Sequence, residues 1–182
     1  MDEDDRFARA VAAIDAANAD DPNRIVVRGE ERPKELAHAE LMTEWVRRLD
    51  PDADEAQLLA ARAHHLRRWV VPRSDYPEGR AGYLRWRTAQ KRRHGEEVAA
   101  ILRDVGYDDA TIERVRAIVE KRGLGSDPQV QTHEDALCLV FFETQLAETA
   151  ARLSPEKGAE VVRKTLAKMS PRARTLATAY LD

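Results

Sequence analysis

The sequence predicts an all-α fold, a single-domain helical bundle, and three observations support this. Apolar residues recur at helical spacing along most of the chain, and Ala and Arg, which favour helices, are abundant. Strings of β-branched residues are rare, and only Ile25–Val27 resembles a strand. The chain has 182 residues, which is the length of one ordinary domain. We therefore expect one domain over residues 1–182.

The first half of the chain predicts four helices and one long connector. A first amphipathic helix should end at the polar residues 18–23, and a second should run from Pro33 to Asp50, because a residue before proline is pushed out of the helical region. A third is expected from about Asp54 to Trp69. The segment Val71–Gly82 contains two prolines and two glycines and should be irregular. A fourth helix follows and should end at a glycine, Gly106.

The second half of the chain predicts four more helices. A short fifth helix is centred on 112–119, and a sixth, over about 130–153, is the most apolar and is placed at the centre of the bundle. Ser154 and Ser170 each precede a proline. A serine N-cap followed by proline is typical of a helix start, so both should open short closing helices.

Composition excludes several classes of protein. Acids outnumber bases only 33 to 30, and the net charge of −3 argues against bulk binding of nucleic acid. One cysteine, Cys138, excludes an intrachain disulfide framework and is expected in the core. No apolar run of about 18 residues is present, and the chain opens with acidic residues. We expect a cytoplasmic protein that does not bind membranes.

Four histidines fall on predicted helices beside apolar residues: His38, His64, His65 and His94. Inward-facing imidazoles on facing helices are a common way to build a metal site in a bundle. The alternative is that each is a buried histidine hydrogen-bonded to a backbone carbonyl.

Asp135 also points to a site, because it shares a helical face with apolar residues such as Leu139 and Phe142. A buried carboxylate needs a partner, and a metal ion is one. The alternative is a capping role, because Thr132 precedes Asp135 by three residues.

The order of one histidine, a histidine doublet about 26 residues later and a distal acid resembles the HD-domain superfamily of metal-dependent phosphohydrolases, over about residues 33–150. The resemblance implies an HD-type helical bundle that holds a divalent metal through His38, His64 and Asp135, with the C-terminal helices of residues 155–182 outside this core. His65 stands where the family has the aspartate of its His-Asp pair. We expect His65 to bind the metal or to lie next to it. The extra imidazole favours Fe, Mn, Co, Ni or Zn over Mg²⁺.

Two segments, His64–Trp69 and Glu134–Phe141, also resemble a family classified as a domain of unknown function. This second resemblance implies homology and supplies no activity.

Basic and aromatic residues follow the histidine doublet closely, and they are candidates for binding phosphate or carboxylate: Arg67, Arg68, Arg73, Trp69 and Tyr76. The basic run Lys91–Arg93 is either part of this surface or a solvated helix face paired with Glu96 and Glu97.

The sequence therefore predicts a metal-dependent hydrolase acting on a small phosphorylated or nucleotide-like substrate. In this hypothesis His94, Glu134 or an unligated His65 moves the proton. One alternative is a non-haem iron oxygenase on the same fold. Another is a non-catalytic helical module that binds an anion or RNA. A small anionic substrate is the expected partner in the hydrolase hypothesis, and the oligomeric state is left open.

Overall fold

The all-α prediction is confirmed. The computed structural model describes residues 3–181, and within that range the only sheet is one two-stranded hairpin. No helix in the described range is long and apolar enough to cross a membrane. The elements are, in chain order, α1 (Glu3–Ala19), β1 (Arg24–Val27), β2 (Glu30–Pro33), α2 (Lys34–Leu49), α3 (Glu55–Arg62), α4 (Gly79–Val105), α5 (Asp109–Val119), α6 (Pro128–Thr144), α7 (Leu146–Arg152), α8 (Pro155–Leu166) and α9 (Pro171–Ala177).

The strand-like segment Ile25–Val27 lies in β1, which pairs antiparallel with β2 so that Val27 is opposite Glu30. The two residues of the turn, Arg28 and Gly29, have φ of 52° and 87°. Positive φ at both central positions is what a tight two-residue hairpin turn requires. The hairpin leads directly into α2.

Two hydrophobic clusters meet along α3. One cluster joins α1, α3, α4 and α5, and it buries Leu59 and Ala60 completely. The other joins α2, α6 and α9 and includes the next residue, Ala61. Because α3 packs on both sides, its C-terminal end lies between the two halves of the bundle.

The predicted helix boundaries are confirmed where a local rule sets them. α2 ends at Leu49, before Asp50 and Pro51. The hydroxyl of Ser154 accepts a hydrogen bond from the Lys157 backbone N–H at the start of α8. Ser170 makes the equivalent bond at α9, and Gly106 ends α4 with a φ of 98°.

The predicted third helix is too long. α3 ends at Arg62 instead of Trp69, and the histidine doublet lies in the turn that follows. His65 and Arg67 have positive φ, 58° and 49°, which breaks the helix. The Arg67 N–H donates to Asn18 Oδ1 at 3.0 Å, and Leu66 is fully buried, so tertiary contacts outweigh helical continuation here.

The predicted sixth helix is also divided, because α6 ends at Thr144 and α7 begins at Leu146. The Thr144 hydroxyl donates to the Val140 carbonyl at 2.7 Å. Such bonds back to the preceding turn weaken a helix, and Gln145 leaves the helical region with a φ of −128°. The connector Val71–Gly82 is irregular as predicted, with a short 3₁₀ turn at Arg73–Asp75, although α4 already begins at Gly79.

Candidate functional site

The five histidines of the chain belong to one cluster in the middle of the bundle. His64 stacks on His65 with ring centroids 3.7 Å apart, and it meets the His133 ring edge-on at 5.1 Å. The rings of His65 and His94 are 5.8 Å apart. His38 joins the cluster through a carboxylate of its own helix.

That carboxylate is Glu35, and its Oε2 atom lies 3.6 Å from His38 Nδ1 and 3.5 Å from His65 Nδ1. Ligand atoms of these three residues all lie within 4.8 Å of one another. Glu35 Oε2 is buried without a hydrogen-bond partner among the described residues. Two ligands about 2.0–2.2 Å from a tetrahedral metal ion are roughly 3.3–3.6 Å apart, so the two distances from Glu35 to the histidines match those between ligands of one metal ion.

Glu35 and His38 are held in place by the start of α2. They are three residues apart, which puts them on one face of the helix. The Glu35 backbone N–H donates to the buried carboxylate of Asp21 at 2.9 Å. On the other side of the imidazole, His38 Nε2 lies 3.4 Å from the Thr144 hydroxyl, a partner that fixes the ring.

His65 is positioned by the turn after α3, and α4 holds that turn from one side. The Arg93 guanidinium donates to the carbonyls of Leu66 and Arg67 at 3.2 and 2.8 Å, and Gln90 donates to the Arg68 carbonyl at 2.8 Å. A left-handed backbone at a non-glycine residue costs energy and persists only where its surroundings impose it. Arg93 is therefore a support of the turn rather than a solvated residue.

The electrostatics favour a neutral imidazole at His65. Burial lowers its pKa well below the usual value, and the neighbouring Arg68 cation lowers it further. A metal ligand must be deprotonated, so this shift prepares the side chain for ligation at neutral pH.

His64 faces a different partner. Its Nδ1 atom lies 3.1 Å from His133 Nε2, and the other ring nitrogen of each residue is buried without a partner among the described residues. Burial lowers the pKa of both, that of His133 to about 3. Both rings are therefore neutral at pH 7, and one must donate the hydrogen bond that the other accepts.

A cavity of about 310 Å³ lies beside this cluster. His64, His65 and His94 form one wall, so His65 belongs both to the Glu/His/His group and to the cavity. Five cationic side chains also line it: Arg68, Arg87, Lys91, Lys121 and Lys168. Among the described residues that line the cavity, Glu134 is the one with a carboxylate.

The two residues expected to move a proton, His94 and Glu134, both line the cavity. His94 Nε2 is buried without a partner in the described part of the chain, and burial together with Arg93 lowers its pKa to about 3. Glu134 forms a salt bridge with Lys121 and lies 3.9 Å from Lys168. Burial opposes ionisation of Glu134, yet the Lys121 charge and hydrogen bond leave its pKa below the usual value.

Asp135 is buried as expected, but the structure does not bring it or His64 into the Glu/His/His group. One of its oxygens, Oδ1, accepts hydrogen bonds from the Ser170 backbone N–H at 2.9 Å and from Gln131 Nε2 at 3.0 Å. The carboxylate therefore tethers the start of α9. It does not cap its own helix either, because that role belongs to Asp127.

Of the residues expected to bind the anion, the structure brings Arg68 to the cavity wall. The Arg73 guanidinium instead donates to the carbonyls of Tyr76 and Pro77 at 2.8 and 2.9 Å and so organises the connector. Arg67, Trp69 and Tyr76 are not among the residues that line the cavity.

Sequence reasoning missed four residues: Glu35, His133, Lys121 and Lys168. The Glu-x-x-His spacing of Glu35 and His38 is a known ligand pattern of helical bundles and was a usable signal. Lys121 and Lys168 each lie just beyond the end of a helix, α5 and α8 respectively. Nothing in their local sequence indicates that they share a cavity.

Comparison with protein families assigns the chain to one family. Residues 8–181 match the family described as Domain of unknown function (DUF4202), and the chain belongs to it. This confirms the second resemblance seen in the sequence. Neither the curated proteins nor the solved structures contain a match.

Proposed function

We propose that Glu35, His38 and His65 bind one divalent transition metal ion. The unpartnered Glu35 oxygen and the neutral His65 imidazole support this proposal. Two imidazoles and one carboxylate favour Fe, Mn, Co, Ni or Zn over Mg²⁺.

We further propose that the protein is a metal-dependent hydrolase of a small phosphorylated or nucleotide-like substrate. The observation that carries this proposal is that His65 belongs both to the Glu/His/His group and to the wall of a cavity lined by five cationic side chains. A substrate anion held by these cations is therefore next to the proposed metal.

The side chains of the cavity have distinct roles in this reaction. When bound, a divalent metal supplies Lewis-acid activation of water and of a phosphoryl oxygen. His94 lines the cavity and its Nε2 has no partner among the described residues, so it is the side chain we assign to proton transfer, and the charge of a bound anion would raise the pKa of this imidazole towards neutrality. Glu134 keeps Lys121 and Lys168 in position through its salt bridges and is a positioning residue.

The test is release of phosphate from a panel of phosphorylated metabolites and nucleotides, with the protein loaded in turn with Mn²⁺, Co²⁺, Ni²⁺, Zn²⁺ and anaerobic Fe²⁺. We expect release from at least one substrate, abolished by chelation and by Glu35→Gln. Glu44→Gln is the matched control, because Glu44 is an exposed residue of the same helix paired with Arg28. Absence of release from the whole panel, or equal loss in both variants, contradicts the proposal.

A second candidate, a non-haem iron oxygenase, is favoured by the ligand set itself. Two histidines and one carboxylate are the ligands of iron(II) oxygenases. Oxygen consumption by the iron-loaded protein, with no phosphate release, would select this activity. A protein that binds metal and anions and turns over nothing would instead be the non-catalytic binding module.

A further inference from the structure

The cationic side chains of the cavity outnumber the carboxylates near them. Lys121 and Lys168 share the single carboxylate of Glu134. Arg68, Arg87 and Lys91 form no salt bridge with any residue in the range 3–181, although the Glu35 charge partly offsets the lowering of the Arg68 pKa and the Glu134 charge that of Lys91. The chain as a whole carries more acids than bases, so this local excess of positive charge is a property of the cavity and not of the composition.

The excess charge is held at close quarters. The Arg68 guanidinium lies 4.6 Å from the centre of the Trp86 ring, and Arg87 lies 5.7 Å from that of Tyr83, so aromatic faces are their neighbours. Burial lowers the pKa of Lys91, and the Arg87 and Lys168 charges lower it further, although the Glu134 carboxylate opposes this. Cations held this close repel one another. A bound anion attracts each of them and so offsets the electrostatic cost of their repulsion.

The number of unpaired cations indicates the charge of the ligand. One phosphomonoester brings about −1.5 to −2 at neutral pH. The five cations exceed the carboxylates of Glu134 and Glu35 by three charges, so a single phosphate leaves at least one positive charge uncompensated. The larger negative charge of two linked phosphates matches the positive charge of these cations.

Another part of the cavity wall is apolar. Leu137, Phe141 and Val161 line it beside the cations, and its volume of about 310 Å³ exceeds the needs of an inorganic ion. An uncharged body attached to the anionic group would cover this apolar wall.

We propose that the cavity binds an organic diphosphate, with its two phosphates among Arg68, Arg87, Lys91 and Lys168 and its uncharged body on Leu137 and Phe141. The identification of this ligand as the substrate rests on the proposed function, but its binding does not require the metal.

The test is calorimetric titration of the chelator-treated full-length protein with inorganic phosphate, pyrophosphate and ADP at fixed ionic strength. We expect pyrophosphate to bind at least about tenfold more tightly than phosphate. Lys91→Ala and Lys168→Ala should each weaken pyrophosphate binding about ten- to a hundredfold. Phe141→Ala should weaken binding of ADP more than that of pyrophosphate.

Two matched variants control for general loss of positive charge. Arg92 is next to Lys91 on α4, is exposed and pairs with Glu96. Lys164 lies one turn before Lys168, is exposed and pairs with Glu160. Arg92→Ala and Lys164→Ala should leave pyrophosphate binding unchanged.

Three results overturn the proposal: no pyrophosphate binding by the wild type, equal weakening in the control variants, or equal affinity for phosphate and pyrophosphate. The two proposals fail separately. Diphosphate binding without turnover would contradict the hydrolase and leave this inference intact, whereas metal-dependent turnover without metal-free anion binding would do the reverse.

Discussion

Glu35 is the residue that changes the interpretation of the site most. A buried carboxylate oxygen without a partner is costly, and here two imidazole nitrogens lie about as far from it as ligands of one metal ion lie from each other. The resemblance to the HD-domain superfamily implied His64 and Asp135 as ligands beside His38. In the structure, Glu35 and His65 are the side chains that lie next to His38.

In the proposed metal site, His65 should set the metal preference. Replacing His65 with Asp exchanges an imidazole for a carboxylate, which should shift the preference towards harder ions such as Mg²⁺ and Mn²⁺ at the expense of Ni²⁺ and Zn²⁺. Competition binding across a panel of divalent ions measures the shift. A profile identical to that of the wild type would mean that His65 does not bind the metal.

His133 should set the tautomer of its neighbour. One of the two neutral rings must donate the hydrogen bond between His64 Nδ1 and His133 Nε2, and we expect the His64 Nδ1–H to be the donor, which leaves a lone pair on His64 Nε2. ¹⁵N–¹H correlation spectra of histidine-labelled protein report the tautomer directly. We expect the Nδ1–H form in the wild type and loss of that preference in His133→Phe. A wild-type His64 protonated on Nε2 would contradict this assignment.

At the scale of elements, local rules predicted the helices and tertiary contacts decided the exceptions. Proline, serine and glycine signals placed the boundaries of α2, α4, α8 and α9, because these residues act on the backbone within one turn. The end of α3 escaped prediction, since the bond from Arg67 to Asn18 joins residues 49 apart in sequence. The sequence identified the histidine doublet, but the orientation of the two side chains depends on that turn.

Asp135 should matter for the attachment of α9 rather than for the metal. Asp135→Ala removes the acceptor of the Ser170 N–H and should lower the free energy of unfolding by about 1–3 kcal/mol, without loss of metal. Urea denaturation and elemental analysis measure the two effects. Asp104→Ala, at an exposed position of α4, is the control. Loss of metal from the Asp135 variant would restore this residue as a ligand.

At the scale of the whole molecule, the buried neutral histidines make stability depend on pH. His94 and His133 have a pKa of about 3 when folded, against about 6.5 when unfolded. Between these values the unfolded chain binds more protons, so the free energy of unfolding should fall as the pH falls below about 6.5. Each histidine contributes about 1.4 kcal/mol per pH unit. Above about pH 6.5 their contribution is constant.

Urea denaturation of metal-free protein at pH 7, 6 and 5 tests this dependence, because most carboxylates remain ionised in that range. His133→Phe should reduce the slope between pH 6 and 5 by about a quarter if His64, His65, His94 and His133 together dominate it. An unfolding free energy that does not change between pH 7 and 5 would show that these histidines are not buried in the neutral form.

The central claim is that Glu35, His38 and His65 bind one metal ion, and anomalous diffraction from crystals of protein purified without chelator tests it most directly. We expect an anomalous peak about 2.0–2.2 Å from a Glu35 carboxylate oxygen and from Nδ1 of both histidines. A peak bound by His64 and Asp135 instead, or elemental analysis that finds no metal in protein offered the full panel of ions, would contradict the account.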